Sequence, residues 1–245
     1  MNIKLIAHTA LSDEFFRYVE MRGVDEVDTH NERAAVALTA IRTCYSPNKP
    51  SEILGLEGEK YFGRDATDGE GGTDADRLIR HIMRSKHTST IEHITYTFAI
   101  EGVSRALLAQ LTRHRVGFSF SVQSQRYVRM GSNDRIGGFD YVTPSSVAES
   151  EAEYYHEIIE RIQDAYDTLR TLGVPPEDAR MVLPNAAACN LVMTVNLRAL
   201  LDFYGKRRKG HGAQWEIAEL AEKLREEVTK VDEWTVPFFG KEPIT

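Results

Sequence analysis

The chain has 245 residues, of which 42% are hydrophobic and 27% charged. This balance excludes an intrinsically disordered protein and predicts a globular one with enough residues to bury a core. The net charge of −7 argues against a general nucleic-acid binder, which normally has a basic face. Two cysteines, without the spacing of a disulfide framework or a zinc site, favour a reducing, cytoplasmic setting. The sequence shows no signal-peptide pattern and no apolar run long enough to cross a membrane.

Hydrophobic periodicity and capping residues predict helices and isolated strands without a strict strand-helix-strand order. The predicted strands are 3–7, 93–101 and 188–195, and the predicted helices are 12–21, 33–42, 74–86, 104 to near 113, 146–173, 175–184, 196–206 and 214–232. Prolines, glycines and acids over 46–73 predict a surface loop. We therefore expect an α+β (mixed α/β) fold, a single domain over 1–245 with a central antiparallel-rich sheet and long flanking helices.

The segment 113–127 combines three arginines, a histidine, three serines and two glutamines in an otherwise acidic protein. Arginine presents a planar fork of donors that fits phosphate oxygens, and serine and glutamine add directional bonds to a ligand with polar edges. A solvated charged loop is the alternative interpretation. The interleaving of polar and cationic residues favours a site for an anionic, phosphorylated ligand.

Other polar groups fit a ligand site less specifically. The turn 87–93 holds two histidines and a glutamate, but its spacing is not that of a zinc helix, so we expect no metal site. Arg198 and Asp202 share a helix face, where an internal salt bridge would explain them equally well. The basic run 206–209 follows, and Arg180 on an apolar helix requires an anionic partner.

Together these residues resemble the flavin-dependent thymidylate synthase family. The family hallmark is Arg-His-Arg followed, after a spacer, by serine, and here Arg113, His114 and Arg115 precede Ser124 by a spacer of eight residues. Further motifs in the family's order are 40–46, 87–93, 180–184, 194–198 and 213–217. The segment at about 47–73 has no clear counterpart in the family, which predicts a surface insertion.

The resemblance implies reductive methylation of dUMP to dTMP. Methylenetetrahydrofolate would supply the carbon, NADPH the reducing equivalents, and bound FAD would serve both stages. It also implies a homotetramer whose active sites combine several subunits, with no nucleic-acid or membrane partner.

The resemblance also assigns roles to individual residues. FAD binding falls to Ser89, Glu92, Arg113, His114, Arg115, Ser121, Asn196, Leu197, Arg198 and Asp202. Binding of dUMP falls to Gln110, Leu111, Thr112, Arg113, Val122, Gln123, Ser124, Gln125, Arg126, Arg180 and Arg207. Arg207 would be the catalytic residue, a cation at the uracil edge that favours the ionised ring. His87 maps near the flavin and folate face.

Spacing leaves two candidates for the uracil-activating arginine. Counting along the helix from Asn196 selects Arg207, whereas counting back from Gln214 selects Arg208. Because helical register fixes the first count, we favour Arg207.

The family often has an acidic residue where this chain has Val122, and either Ser121 or Gln123 could take over its contacts. Two other functions compete with thymidylate synthesis. One is a different FAD-dependent oxidoreductase on the same scaffold. The other is a nucleic-acid-binding module with Tyr127 stacking on a base, which would show a steep loss of affinity with salt.

Overall fold

The computed structural model describes residues 1–25, 27 and 31–240. The strands are β1 Asn2–His8, β2 Thr95–Ser104, β3 Phe118–Val122 and β4 Ala188–Asn196. The α-helices are α1 Asp13–Glu20, α2 Glu32–Tyr45, α3 Ile53–Phe62, α4 Asp74–Arg84, α5 Arg105–Leu111, α6 Glu149–Thr171, α7 Pro176–Ala179, α8 Leu197–Arg207 and α9 Trp215–Val231. Short 3₁₀ helices span Thr88–Ile91, Arg180–Val182 and Glu233–Phe238.

The four strands form one sheet in the order β1-β2-β4-β3. In the last pair, the Asn196 N–H donates to Gly117 O (3.0 Å) and the Gln123 N–H donates to Asn190 O (2.8 Å). Residue numbers rise on one strand as they fall on the other, which is antiparallel pairing. β1 and β2, and likewise β2 and β4, are antiparallel by the same criterion. The predicted α+β fold with an antiparallel sheet is confirmed.

The predicted alternation along β2 is also confirmed. Tyr96, Phe98 and Ile100 are fully buried, as expected for one face of a pleated strand. The strand begins two residues later than predicted and continues to Ser104, whose hydroxyl accepts from the Leu107 N–H and so starts α5.

The chain divides into two compact units. Unit 1 comprises Met1–Ile3, Ala99–His114 and Phe120–Met193, and unit 2 comprises Lys4–Phe98, Arg115–Ser119 and Thr194–Thr245. The single domain over 1–245 stays a prediction. Among the described helices, none is long and apolar enough to cross a bilayer.

In unit 2, α2 packs against α3 and α4, and α8 packs against α9. The surface loop predicted for 46–73 is wrong over its middle, where α3 buries Ile53 and Leu54 completely. One of the two glycines within α3 permits close packing. A Cβ on Gly58 would lie 2.6 Å from Val24 Cγ1.

In unit 1, α6 packs over a core that includes Met130, Phe139, Ile159, Tyr166 and Ala187. Apolar residues recur along α6 at helical spacing, but two of them, Ile158 and Ala165, are exposed. Residues 146–149 have the serine-to-glutamate spacing of a capping box, yet the helix begins at Glu149 without a side-chain cap. The predicted helix over 175–184 is reduced to α7 and a 3₁₀ helix.

Candidate functional site

The predicted site residues fall into two groups, one in each unit. The group in unit 2, here the α8 group, consists of Ser89, Glu92, Arg115, Asn196, Leu197, Arg198, Asp202 and Arg207. The group in unit 1, here the Arg126 group, consists of Gln110, Leu111, Thr112, Arg113, His114, Ser121, Val122, Gln123, Ser124, Gln125, Arg126 and Arg180. Sequence reasoning thus selected residues that the fold collects into two local sets.

The α8 group is organised by the N-terminus of α8. Asn196 caps the helix, with its Oδ1 accepting from the Ala199 N–H at 2.8 Å. The N–H groups of a first helical turn, together with the helix dipole, attract anions. An eleven-residue helix preceded by a strand with one buried face holds this end in a fixed place.

Gly117 brings a second backbone segment close to that helix end. Its φ is +76°, and a Cβ there would lie 2.6 Å from Asn196 Nδ2 and 2.7 Å from Ala199 Cβ. Only glycine fits both the left-handed conformation and this approach. The turn that contains Gly117, closed by the Phe118 N–H on Arg115 O at 3.2 Å, therefore fixes the backbone from which Arg115 projects. The sequence motif did not single out Gly117, although it lies between the hallmark arginines and serine.

The 3₁₀ helix Thr88–Ile91 contributes Ser89 and, directly after it, Glu92. The Leu197 N–H donates to Ile94 O at 2.9 Å, which ties this turn to the start of α8. The Glu92 carboxylate forms an ion pair with Arg198. The internal salt bridge between Arg198 and Asp202, the alternative explanation of their shared helix face, is not what the structure shows. Leu197 is fully buried, so its side chain belongs to the core.

The second half of α8 contains Arg207, and Arg208 follows directly after the helix. Asp202 pairs with Lys206 at 2.7 Å, while its Oδ1 is buried without a hydrogen-bond partner among the described residues. The Arg208 N–H caps the helix on Tyr204 O, and its Nη1 donates to Gly240 O at 2.8 Å. Arg208 thus has a structural role, and the assignment of Arg207 to ligand contact stays a prediction from helical register.

Beside Ser89, unit 2 contains a cavity of about 480 Å³. Its lining combines apolar side chains with hydroxyls (Leu11, Phe15, Val36, Thr39, Ala40, Thr43, Cys44, Pro50, Ser89, Thr90 and His93). No cluster of His, Cys, Asp and Glu within the described ranges has the arrangement of a metal site.

The Arg126 group begins where α5 ends. Thr112 caps the helix, with both its N–H and its hydroxyl donating to Leu108 O. The His114 N–H donates to Leu111 O, so the chain turns here and leaves Arg113 exposed. Leu111 is fully buried, which makes its side chain part of the core rather than a ligand contact.

Two arginines of this group meet at one acidic residue. Arg126 Nε lies 3.8 Å from Glu177 Oε1, and Arg180 Nε donates to Glu177 O at 3.0 Å. The Ser124 hydroxyl accepts from the Arg126 N–H at 3.2 Å, which orders the turn. One guanidinium beside the Glu177 carboxylate and one on its backbone carbonyl form a cationic cluster suited to phosphate. Glu177 was not predicted, although it lies three residues before Arg180.

The glutamines of the group differ in their surroundings. Gln125 is 5% exposed, and its Nε2 is buried with no hydrogen-bond partner within the described part of the chain. Leaving such a donor unpaired costs about 1–3 kcal/mol. Gln123 instead binds Asn190 through both its N–H and its Oε1. That amide oxygen is thus engaged, whereas Ser121 is exposed, and the replacement of the acid missing at Val122 by either residue stays a prediction.

The chain matches the family model described as thymidylate synthase complementing protein over residues 26–233. It is 41% identical over 198 residues to the flavin-dependent thymidylate synthase of Geobacter sulfurreducens, covering 80% of this chain and 77% of that protein. It is 34% identical over 221 residues to the flavin-dependent thymidylate synthase of Clostridium tetani, covering 83% and 80%.

Two solved structures share the fold. One is the UMP/dUMP methylase of Streptomyces cacaoi bound with 5-Br dUMP, with a TM-score of 0.67 at 21% identity over 100% of this chain and 96% of that chain. The other is the flavin-dependent thymidylate synthase of Helicobacter pylori complexed with FAD and dUMP, with a TM-score of 0.66 at 22% identity over 98% of both. The family match covers both groups of site residues, and the chain belongs to the flavin-dependent thymidylate synthase family.

Proposed function

We propose that this protein methylates dUMP reductively to dTMP, with FAD as cofactor, methylenetetrahydrofolate as carbon donor and NADPH as reductant. The observation that carries the proposal is that the family's motif residues form two cation-bearing sets in a chain of net charge −7. The Helicobacter pylori relative, which shares the fold, binds FAD and dUMP. The products are dTMP, tetrahydrofolate and NADP⁺, so the transferred one-carbon unit ends as a methyl group.

The α8 group fits FAD. The capped N-terminus of α8, together with Arg198 and Arg115, suits a pyrophosphate. Gly117 allows the backbone next to Arg115 to lie close to that helix end. Glu92 orients Arg198 by its ion pair. Ser89, Asp202, Arg113, His114 and Ser121 complete the proposed FAD set. Bound flavin supplies two-electron redox chemistry, which the protein's polar groups tune.

The Arg126 group fits a nucleoside monophosphate. Arg126 and Arg180 provide paired guanidinium donors for the phosphate, and Ser124 positions the nucleotide rather than attacking it. The buried amide of Gln125 gains an acceptor when the nucleotide binds. A covalent enzyme–dUMP bond is not needed, so the scheme assigns no role to a cysteine nucleophile.

Arg207 is the proposed uracil-activating residue. The ring must become electron-rich at C5 before it attacks the methylene carbon. A fixed cation beside the O2/N3 edge stabilises the ionised ring, a preorganised electrostatic effect. Arg207 is the last residue of α8, and the helical register counted from Asn196 supports its choice over Arg208.

We also propose a homotetramer in the reducing cytoplasm. The family resemblance supports the tetramer, and the two free thiols are compatible with a reducing compartment. Sedimentation equilibrium tests the assembly, with an expected mass near four times the 27.7 kDa of the chain.

The direct test is dTMP formation from dUMP, methylenetetrahydrofolate and NADPH by the purified protein. The preparation should be yellow, with a flavin spectrum that bleaches when NADPH is added. NADPH consumption that depends on oxygen, without dTMP, would instead support another flavin oxidoreductase. Salt-sensitive polynucleotide binding by a colourless protein would support the nucleic-acid alternative.

A further inference from the structure

His87 is held at several points in the turn before Ser89. Its N–H donates to Ile82 O at 3.3 Å, and its carbonyl accepts from Thr90 Oγ1 at 3.1 Å. Its ring Nδ1 lies 3.0 Å from Tyr45 Oη. The preceding Lys86 has a φ of +60°, and it is the only non-glycine residue in the described part of the chain with a positive φ. Such backbone strain persists where the surrounding structure fixes it, and it is concentrated at functional sites.

Tyr45 projects from a rigid support. It is the last residue of α2, and that end of the helix is fixed by Glu57, which accepts from Arg42 Nε and Ser46 Oγ, each at 2.6 Å. The Tyr45 and His87 rings meet edge to face, with centroids 5.9 Å apart. Tyr45 is nevertheless 60% exposed, so burial does not explain why it occupies this position.

We propose that Tyr45 is a positioning residue that sets the tautomer and ring orientation of His87. The Tyr45 hydroxyl donates to Nδ1, so the proton of the neutral imidazole is on Nε2. His87 then offers a single N–H donor to a carbonyl or ring-nitrogen acceptor of a bound heterocycle. This inference rests on the proposed function and on the family resemblance, which maps His87 near the flavin and folate face.

The hydroxyl and the ring of Tyr45 make separable contributions. Tyr45→Phe removes the hydrogen bond and retains the edge-to-face contact, whereas Tyr45→Leu removes both. A structural role would depend on packing, so Tyr45→Phe would then behave as the wild type does. A tautomer-setting role makes Tyr45→Phe the damaging change. Tyr154→Phe is the matched control, because Tyr154 is 64% exposed and lies on α6 in unit 1.

The spectroscopic test needs no substrate. Histidine-selective ¹⁵N labelling, with His87→Gln to identify the resonances, reports which ring nitrogen is protonated in the neutral form. The wild type and Tyr154→Phe should show Nε2–H alone, and Tyr45→Phe should show a mixture of tautomers. An Nδ1–H ring in the wild type, or an unchanged spectrum in Tyr45→Phe, overturns the proposal.

The kinetic test adds a double-mutant cycle. Loss of one hydrogen bond of about 1 kcal/mol predicts a roughly five- to tenfold lower kcat for Tyr45→Phe, with FAD content and KM for dUMP unchanged. On a His87→Gln background, the same substitution should have no further effect. Equal losses on both backgrounds overturn the coupling. If the wild type forms no dTMP, the proposed function fails, whereas the tautomer measurement still decides the role of Tyr45.

Discussion

Gly117 combines a left-handed backbone with close packing against Asn196 and Ala199. We expect Gly117→Ala to reduce the free energy of unfolding by about 2–4 kcal/mol, because strain and overpacking add. The displaced helix end should also weaken FAD binding. Chemical denaturation and the flavin absorbance of the purified variant measure the two effects.

Gly137→Ala separates strain from collision. Gly137 has a φ of +73°, nearly the same as Gly117, but a Cβ there would meet nothing within 4 Å. The Gly137→Ala variant should have a free energy of unfolding lower by about 1 kcal/mol, because alanine is strained in this backbone conformation, and it should keep its bound flavin. Equal stability losses at the two glycines would show that the approach to Asn196 is not tight.

Substitution separates the proposed catalytic role of Arg207 from the structural role of Arg208. Arg207→Ala should lower kcat at least about a hundredfold, since a preorganised cation at the developing charge is lost, while FAD stays bound. Lys209→Ala makes the same change in charge two residues beyond the end of α8, and it should leave kcat unchanged. Arg208→Ala should lower the melting temperature instead, because Arg208 holds Gly240 O. Normal turnover by Arg207→Ala would exclude the assignment.

At the scale of elements, the end of α4 is strained. Lys86 is in the left-handed conformation that glycine normally takes after a helix, with its N–H on Met83 O and the next N–H on Ile82 O. Lys86→Gly should therefore raise the free energy of unfolding by about 0.5–1 kcal/mol. Ser85→Gly is the control, since Ser85 has a φ of −80° and glycine there should be destabilising. Thermal melts of both variants should shift in opposite directions.

The helix α3 is tied to α2 through Glu57. Burial opposes ionisation of this carboxyl, but hydrogen bonds from Ser46, Arg42 and Asn48 outweigh it and hold its pKa below the ordinary 4.5. A lowered pKa in the folded state stabilises the fold above the ordinary value, and this contribution is lost as pH falls through the lowered one.

Glu57→Gln should consequently be less stable than the wild type at pH 7, by roughly 1–2 kcal/mol for the lost charge-assisted bonds. The difference should shrink as pH falls below 4.5. Glu52→Gln tests specificity, because the Glu52 side chain is 42% exposed and lies 3.7 Å from Lys49. Denaturation series at several pH values measure both, and a pH-independent gap for Glu57→Gln would contradict the linkage.

Local patterns predicted most of these elements because their signals are local. The alternation in β2 and the caps at Ser12, Ser104 and Asn196 appear in the structure as expected. The sequence did not reveal α3, because two glycines and the flanking turn residues resemble a loop. Its burial depends on Val24 and α2, which are distant along the chain. Likewise, the exposure of Ile158 on α6 depends on which neighbours the helix meets.

For the whole molecule, motifs identified the chemistry of the site but not its supports. The hallmark arginines and Ser124 were evident from composition and spacing. Glu177 beside Arg126, and Tyr45 beside His87, became visible only when separate segments came together. Charge partners across the fold have no fixed spacing, so a single sequence does not specify them. For the same reason, the sequence did not identify Glu92 as the ion-pair partner of Arg198.

The most distant of these partners are Arg33 and Asp232, 199 positions apart and both buried. Arg33 Nε donates to Asp232 Oδ2 at 2.7 Å, and the Tyr96 hydroxyl and Trp234 Nε1 donate to the same carboxylate. Burial, and then the charge of Asp232, raises the pKa of Tyr96 well above its usual range, so the hydroxyl remains a donor. This network attaches the segment after α9 to α2 and β2 within unit 2.

Asp232→Asn should lower the free energy of unfolding by about 3–5 kcal/mol, because it leaves the buried Arg33 charge uncompensated. Tyr96→Phe removes one hydrogen bond and should cost about 1–2 kcal/mol. Glu219→Gln, at an exposed pair with Lys223, should change stability by less than about 0.5 kcal/mol. Urea unfolding at constant pH measures all three. A loss for Asp232→Asn no larger than that for Glu219→Gln would mean that hydrophobic packing alone attaches the segment after α9.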